Sequence, residues 1–329
     1  MGNRNISKKI LHWYDNNKRI LPWRKDTSKK QKQYFTLISE FMLQQTQVKT
    51  VIPYFKNFIK KIPNLRKLAK VNNVKLMKCW EGLGYYSRAK NLKKTAKKII
   101  FNFKGNLPNK VEDLKTLPGI GDYTSSAIMA IAFNKPIIPL DGNVERILKR
   151  VFYLKKDYEV SKENLNKKKS FFGSSKRSSE YAQAIMEIGA LICKPKIPLC
   201  VKCPISKNCI SFKKKDFEII SKNKFNKIKY FEAEIYKDKN KYLLVKNDKF
   251  KFLKNLLIFP MKEVKQDKFN STLNKKINIK MSNMDMKIVL NKKNKKAKIK
   301  NSYLLDKNNI QTYILPSFTK KIFNSVSKY

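Results

Sequence analysis

Four of the five cysteines crowd into one short stretch, Cys193-x6-Cys200-x2-Cys203-x5-Cys209. In a reducing compartment such crowding points to a metal site rather than to disulfides. Paired CxxC units would indicate a zinc ribbon. A single CxxC with uneven flanks suits four thiolates around a cubane iron–sulfur cluster better, with zinc left as the alternative. Cys79 stands off this spacing and reads as a buried core thiol. The lone His12, between Leu11 and Trp13, reads as packing.

Two carboxylates form the next candidate set. Glu40 lies in Ile38-Ser39-Glu40-Phe41-Met42-Leu43-Gln44-Gln45-Thr46-Gln47, among apolar neighbours. A carboxyl group drawn out of water there would hold its proton towards neutrality; the plain alternative is a solvent-facing Glu on an amphipathic helix. Asp141, in Pro139-Leu140-Asp141-Gly142-Asn143-Val144, either N-caps a helix or faces a bound phosphodiester backbone, and one side chain can do both. One protonated and one ionised carboxylate is the arrangement that breaks a glycosidic bond.

These residues need elements to position them. Leu117-Pro118-Gly119-Ile120-Gly121 separates the helical segments Val111–Lys115 and Tyr123–Phe133, so two glycines present backbone N–H groups at a helix start. That is a helix-hairpin-helix, an anion site that grips one DNA backbone without reading bases, unless it is an ordinary turn with a glycine cap. Upstream, Tyr34–Val48 reads as a helix ending before Pro53. Leu92, Ala96, Ile99 and Phe103 mark another helix face, and Gly82 and Gly84 a helix stop and turn. Helical segments with short Pro/Gly punctuation indicate an all-α region up to about Ser221. Lys213–Lys229 reads as a linker. Strand-like runs at Phe231–Tyr236 and Tyr242–Val245 open a smaller α/β region. The Lys- and Asn-rich segment Lys275–Lys300 has no legible element.

The 329 residues carry 75 Lys plus Arg against 24 Asp plus Glu, a formal charge of +51. With 42% hydrophobic residues the chain can bury real cores, so the charge sits on a folded protein and favours a polyanion. Abundant Lys, Asn and Ile, all with A+T-rich codons, offer genome drift as a second source of the excess. The longest apolar run, Ala127–Phe133, is too short to span a bilayer. Met1–Tyr14 has no apolar signal core, and Ile6 breaks the myristoylation pattern that Gly2 opens. The reading is a cytoplasmic protein of bacterial type, monomeric, with no membrane partner.

Taken together, the hairpin, the following aspartate and the cysteine loop resemble the helix-hairpin-helix DNA glycosylases with an iron–sulfur cluster. The endonuclease III branch has a Schiff-base lysine two residues past the second hairpin glycine, where this chain has Tyr123. Leu21-Pro22-Trp23-Arg24, Trp80-Glu81-Gly82-Leu83-Gly84-Tyr85-Tyr86-Ser87-Arg88 and Asp141-Gly142-Asn143-Val144 are similar to the adenine (MutY) branch, with matches from about Leu11 to Cys209.

The resemblance implies a mainly α N-terminal region followed by a smaller α/β Nudix-like domain. An iron–sulfur domain would span 1–27 and 138–220, a six-helix helix-hairpin-helix barrel 28–137, a linker 221–230 and a degenerate Nudix-like 8-oxoguanine-reading domain 231–329. It also implies a monofunctional glycosylase that removes adenine mispaired with 8-oxoguanine or guanine in duplex DNA. Glu40 would protonate adenine N7, Asp141 would stabilise the oxocarbenium-like sugar, and Tyr123 would order both. Gln45 and Tyr85 would wedge into the duplex beside Gln44, and Gly119 and Gly121 would hold the backbone. Leu21, Trp23, Arg24 and Gln183 would hold the extruded adenine, with Arg19 a weaker candidate. Cys193, Cys200, Cys203 and Cys209 would ligate one [4Fe-4S] cluster. The alternatives are a bifunctional endonuclease III-type glycosylase/lyase and a DNA-binding protein whose chemistry has decayed.

Two departures stand out. Ser28-Lys29-Lys30-Gln31-Lys32 looks like a basic insertion that lengthens a loop. The family's Phe-Ser-His recognition loop finds its counterpart in Leu290-Asn291-Lys292, from which weakened discrimination between 8-oxoguanine:adenine and guanine:adenine is expected. Phe252–Pro260 resembles the Nudix signature strand and turn.

Overall fold

The computed structural model describes residues 3–219, 227–281, 284–293, 299 and 301–327. The chain divides into two compact units, one of Met1–Val71 with Ser87–Lys222, the other of Asn72–Tyr86 with Asn223–Tyr329. Among the described residues no helix is long and apolar enough to cross a membrane.

The first unit is helical, as the punctuation implies. Its central helix, Lys29–Leu43, buries every side chain from Tyr34 to Met42. The Ser28 hydroxyl accepts the Gln31 N–H and caps this helix, so the supposed loop insertion Lys29–Lys32 is in fact its first turn. Lysine is a good helix former, and the cap outweighs the polarity that suggested a loop.

The helix also stops earlier than Val48. Gln45 has φ of 55°, in the left-handed region, and a second helix runs from Val48 to Lys61 through Pro53. The stop has a visible cause. Buried Arg88 donates from Nη1 to the carbonyls of Phe41 (3.2 Å), Met42 (2.7 Å) and Gln44 (2.5 Å), groups that a helix end leaves without intrahelical donors.

Arg88 opens the helix Ser87–Asn102, which buries Leu92, Ala96 and Ile99 as the spacing requires. The hairpin follows as Val111–Lys115 and Asp122–Phe133. Helices Gly142–Val151 and Ser178–Glu187 then pack with the N-terminal helix Asn3–Asn17 around Ile10, Tyr14, Leu148 and Ile185.

Among its described residues the second unit is built on seven strands: β1 Lys227–Asp238, β2 Lys241–Lys246, β3 Leu257–Ile258, β4 Met261–Val264, β5 Lys276–Met281, β6 Met284–Lys293 and β7 Ser302–Asp306. Their order is β3-β2-β1-β6-β5, with β4 also on β1 and β7 on β2. β1 and β6 are parallel over Lys227↔Met284 to Tyr236↔Lys293, and the remaining pairs are antiparallel. Helix Ser317–Ser327 contributes Phe318, Ile322 and Phe323 to the core against Phe231, Tyr242 and Leu305. β1 begins inside the stretch expected to be linker, of which 220–226 lies outside the described residues.

Lys275–Lys300 also contains order that composition hid. In β5 and β6 every second residue is apolar, with Asn278, Lys280, Asp285, Lys287 and Val289 between them, so Ile279, Met286, Ile288 and Leu290 face the core from a largely polar background. This corrects the expected recognition loop, because Leu290-Asn291-Lys292 is strand. The Asn291 amide donates to Glu232 Oε1 (2.6 Å) and its carbonyl accepts from Asn274. The order apolar, serine, polar recurs at Met281-Ser282-Asn283, where β5 and β6 pair as Met281↔Met284; Ser282 and Asn283 lie outside the described residues.

Candidate active site

A cavity of about 980 Å³ in the helical unit gathers most of the sequence-predicted set: Glu40, Tyr123, Asp141, Leu21, Trp23, Arg24 and Gln183 all line it. That is room for a nucleobase and its sugar. The residues arrive from five separate stretches of chain.

Glu40 projects from the last turns of Lys29–Leu43, and only 5% of the residue is exposed. Tyr123, in the first turn of Asp122–Phe133, donates a hydrogen bond to its carboxyl group, while Glu40 Oε2 is buried without a protein partner. Burial pushes the Glu40 pKa up from the ordinary 4.5 to about 7. The negative charge of Asp141 adds to the rise, against the Tyr123 hydrogen bond and the Arg24 cation. Burial and the two carboxylates hold the Tyr123 hydroxyl well above its usual range, so it stays a neutral donor.

Asp141 caps its helix and at the same time lines the cavity. Its Oδ1 accepts the Val144 N–H at 2.7 Å and caps Gly142–Val151, while Oδ2 accepts from the Asn143 side chain at 2.8 Å. Burial raises its pKa, and those donors together with Arg146 oppose the rise. Arg146 Nη2 in turn donates to Asn143 Oδ1 (2.8 Å) and to the Gly189 carbonyl (2.7 Å), and its Nε to the Cys193 carbonyl (2.6 Å). Gly189, in the wide turn Ile188–Ile192, packs so closely that an added Cβ would lie 2.4 Å from Asn143 Cβ. The loop that carries Asp141 is thus braced by Asn143, Arg146 and Gly189, to none of which the sequence reading gave a role.

The pocket wall holds a further unforeseen residue. Glu187, 1% exposed, takes two hydrogen bonds from Arg19 (2.7 and 2.8 Å) and one from Arg24 (2.8 Å). It stands four residues after Gln183 on one helix face, the spacing that signals a shared site. Trp23 packs edge-on against Phe55 with ring centroids 5.3 Å apart.

In the hairpin, Gly119 has φ of 85°, and a Cβ there would lie 2.9 Å from Phe41 Cε1 and 3.0 Å from Asn91 Cβ. Gly121 is exposed, has φ of −103°, and a Cβ there would meet nothing within 4 Å. Gly119→Ala should therefore destabilise the fold by about 1–3 kcal/mol, whereas Gly121→Ala should leave the unfolding midpoint unchanged. Thermal denaturation of both variants checks this contrast. Gln44 does not project freely: its Nε2 donates to the Gly119 carbonyl (3.1 Å) and Thr124 Oγ1 (3.3 Å), tying the end of the Glu40 helix to the hairpin. Tyr85, in the second unit, is exposed and left-handed at φ 46°.

Cys193, Cys200, Cys203 and Cys209 are free thiols lining one small cavity with Ile147, Val151, Ile188 and Ile205. Burial pushes Cys203 up to about 12, with the other thiols adding to the rise. Arg150, 2% exposed, approaches Cys193 Sγ at 3.4 Å and holds the carbonyls of Lys194 and Pro195. Among the described residues no group of three or more His, Cys, Asp or Glu side chains is set to hold a metal ion. Four sulfurs spread around an apolar cavity, with a guanidinium alongside, are a donor set that fits a thiolate-ligated cluster.

Comparison with known proteins agrees with this geometry. Residues 38–170 match the family model described as HhH-GPD superfamily base excision DNA repair protein. The chain is 38% identical over 282 residues to the adenine DNA glycosylase of Buchnera aphidicola subsp. Schizaphis graminum, covering 83% of this chain and 80% of that protein. It is 35% identical over 342 residues to the enzyme of the same name from Buchnera aphidicola subsp. Baizongia pistaciae, covering 97% and 96%. Among solved structures it resembles a thermostable thymine-DNA glycosylase, with TM-score 0.57 and 27% identity over 65% of this chain and 97% of that one. The chain belongs to the adenine DNA glycosylase family of base excision repair, hydrolases of N-glycosyl bonds.

Proposed function

We propose that the enzyme removes adenine mispaired with 8-oxoguanine or guanine from duplex DNA, by way of the Glu40, Tyr123 and Asp141 constellation. The observation that carries this reading is the Glu40 carboxyl, buried beside Asp141 with its pKa raised to about 7. The helix-hairpin-helix glycines Gly119 and Gly121 hold one phosphodiester strand through their amides. The +51 charge draws the protein to DNA with a strong salt dependence. Gln45 and Tyr85, both with left-handed backbone, enter the duplex and displace the adenine into the cavity, where Leu21, Trp23, Arg24 and Gln183 hold it.

Protonated Glu40 then gives its proton to adenine N7. The N-glycosyl bond breaks with its electron pair on the departing base, and the Asp141 carboxylate faces the sugar cation. Water adds at C1′ and gives its proton to the Glu40 carboxylate, leaving an abasic site and the acid restored. Tyr123, neutral and hydrogen-bonded to Glu40, keeps the two carboxyl groups in register. No amine nucleophile stands at position 123, which favours this monofunctional route over the lyase.

The four cysteines would hold one [4Fe-4S] cluster, whose contribution is to cross-link the loop that carries the Arg146 and Arg150 contacts. Protein isolated without oxygen should contain about four irons per chain, and Cys203→Ser should lose them. Stoichiometric zinc would contradict this assignment. The sheet unit is read as the Nudix-like domain that meets the opposite base.

Single-turnover reaction with duplexes carrying adenine opposite 8-oxoguanine, guanine or thymine tests the proposal. Alkali-dependent nicks at adenine are expected in both mispairs and not in the adenine:thymine pair. Nicking without alkali, with a borohydride-trapped adduct, would favour the lyase reading instead.

A further inference from the structure

Glu81 gathers an unusual set of partners for a chain so short of acids. Its side chain is only 8% exposed, and its carboxylate takes the Lys78 ammonium at 2.7 Å, the Lys320 ammonium at 2.8 Å and the Leu315 N–H at 3.2 Å. Lys78 also reaches the Tyr313 carbonyl at 3.4 Å. Lys320 lies in the last helix, Ser317–Ser327, and Leu315 is fully buried in the core of the sheet unit. The stretch 313–320 is thus fastened to helix Asn73–Trp80 and its C-cap at three points, all within one compact unit. The carboxyl pKa is held below its ordinary value by these donors against the effect of burial.

The turn that follows Glu81 is braced internally. Leu83 N–H donates to the Trp80 carbonyl (3.0 Å), Trp80 Nε1 to the Gly84 carbonyl (3.1 Å), and Gly82 N–H to the Tyr86 hydroxyl (3.3 Å). Gly82, Gly84 and Tyr85 all adopt positive φ, at 96°, 73° and 46°. A turn cross-linked in this way is a stiff connection between Glu81 and the exposed Tyr85 ring.

We propose that Glu81 is a positioning residue for base flipping, coupling the C-terminal helix through Lys320 and Leu315 to the Tyr85 turn. The inference rests on the reading of Tyr85 as an inserted side chain. Glu81 makes no contact with substrate. It sets the reach of Tyr85, and the C-terminal unit gains a role in the flipping step apart from any reading of the opposite base.

The test follows the rise in fluorescence when saturating full-length enzyme meets a duplex with 2-aminopurine opposite 8-oxoguanine. Lys320→Gln should slow the rise by roughly tenfold, the scale of a small misplacement, and Glu81→Gln by more than that. Glu81→Gln should be the more harmful, because it leaves two ammonium groups facing each other, and Lys320→Arg should restore the wild-type rate. Tyr85→Ala should slow the rise, and adding Glu81→Gln or Lys320→Gln to it should cost nothing further. A wild-type rise in Lys320→Gln, or equal slowing with and without Tyr85, would overturn the coupling even though Tyr85→Ala is slow. A wild-type rise in Tyr85→Ala would instead remove the wedge reading, and the coupling with it. Lys320 is half exposed, so Lys320→Gln carries the test if Glu81→Gln fails to fold.

Discussion

Glu40→Gln should bind mispaired DNA as tightly as the unmodified enzyme and release adenine roughly 10²- to 10⁴-fold more slowly, the contribution of a positioned general acid. The amide keeps the shape and can still accept from Tyr123, but it has no proton to give at N7. The same substitution should stabilise the fold. A carboxyl group whose pKa rises on folding makes the native state take up protons. Its cost is therefore absent below the ordinary 4.5, grows as pH climbs, and is complete above about 7. At about 1.4 kcal/mol for each pH unit of that interval, Glu40→Gln should gain about 3–4 kcal/mol at pH 8 and nothing at pH 4. Urea denaturation at the two pH values measures this. A variant less stable at pH 8 would show that Glu40 serves packing rather than chemistry.

Asp141→Asn separates the two roles of that side chain. Asparagine caps helices as well as aspartate does, so the Val144 N–H keeps its acceptor and only the bond from the Asn143 amide is lost, a cost of about 1 kcal/mol. The charge facing the sugar is lost, and single-turnover adenine release should fall by about 10²- to 10³-fold. Because the Asp141 charge helps to raise the Glu40 pKa, removing it should let Glu40 ionise sooner, moving the alkaline fall in rate to lower pH. Asp141→Ala should lose a further ~1 kcal/mol of stability through the missing cap. An Asp141→Asn enzyme with near-normal turnover would reduce Asp141 to a cap alone.

Much of this site was legible because its residues announce themselves locally. Glu40 sits in an apolar run, Asp141 precedes a helix, two glycines open the hairpin, and the cysteines share one loop. What the sequence concealed is long-range. Glu187 becomes a pocket residue only when Arg19 and Arg24 fold back onto it, and Asn143 and Arg146 gain their meaning from Gly189 and Cys193 more than 40 positions away. The early stop of the Glu40 helix likewise depends on Arg88, which composition cannot connect to residues 41–44.

Lysine abundance misled the reading in both directions. It disguised the first turn at Lys29–Lys32 as a loop, although Ser28 was a visible cap. It also hid β5 and β6, whose apolar alternation survives at Ile277, Ile279, Met286 and Ile288. The best sequence match to the recognition loop consequently falls in a strand. Asn291 looked available for hydrogen bonding to a base, and in the fold its amide is committed to Glu232 and Asn274.

In the proposed mechanism one carboxyl group, protonated near neutrality, and one carboxylate act together on a flipped adenine. The rate of adenine release in a single turnover, followed from pH 5 to 9 with saturating enzyme on an adenine:8-oxoguanine duplex, addresses this joint action most directly. The rate should fall about tenfold per pH unit above an apparent pKa near 7, a value belonging to the Glu40 and Asp141 pair. In Glu40→Gln the residual rate should lack that fall. A wild-type rate that stays level to pH 9, or the same alkaline fall persisting in Glu40→Gln, would contradict the account.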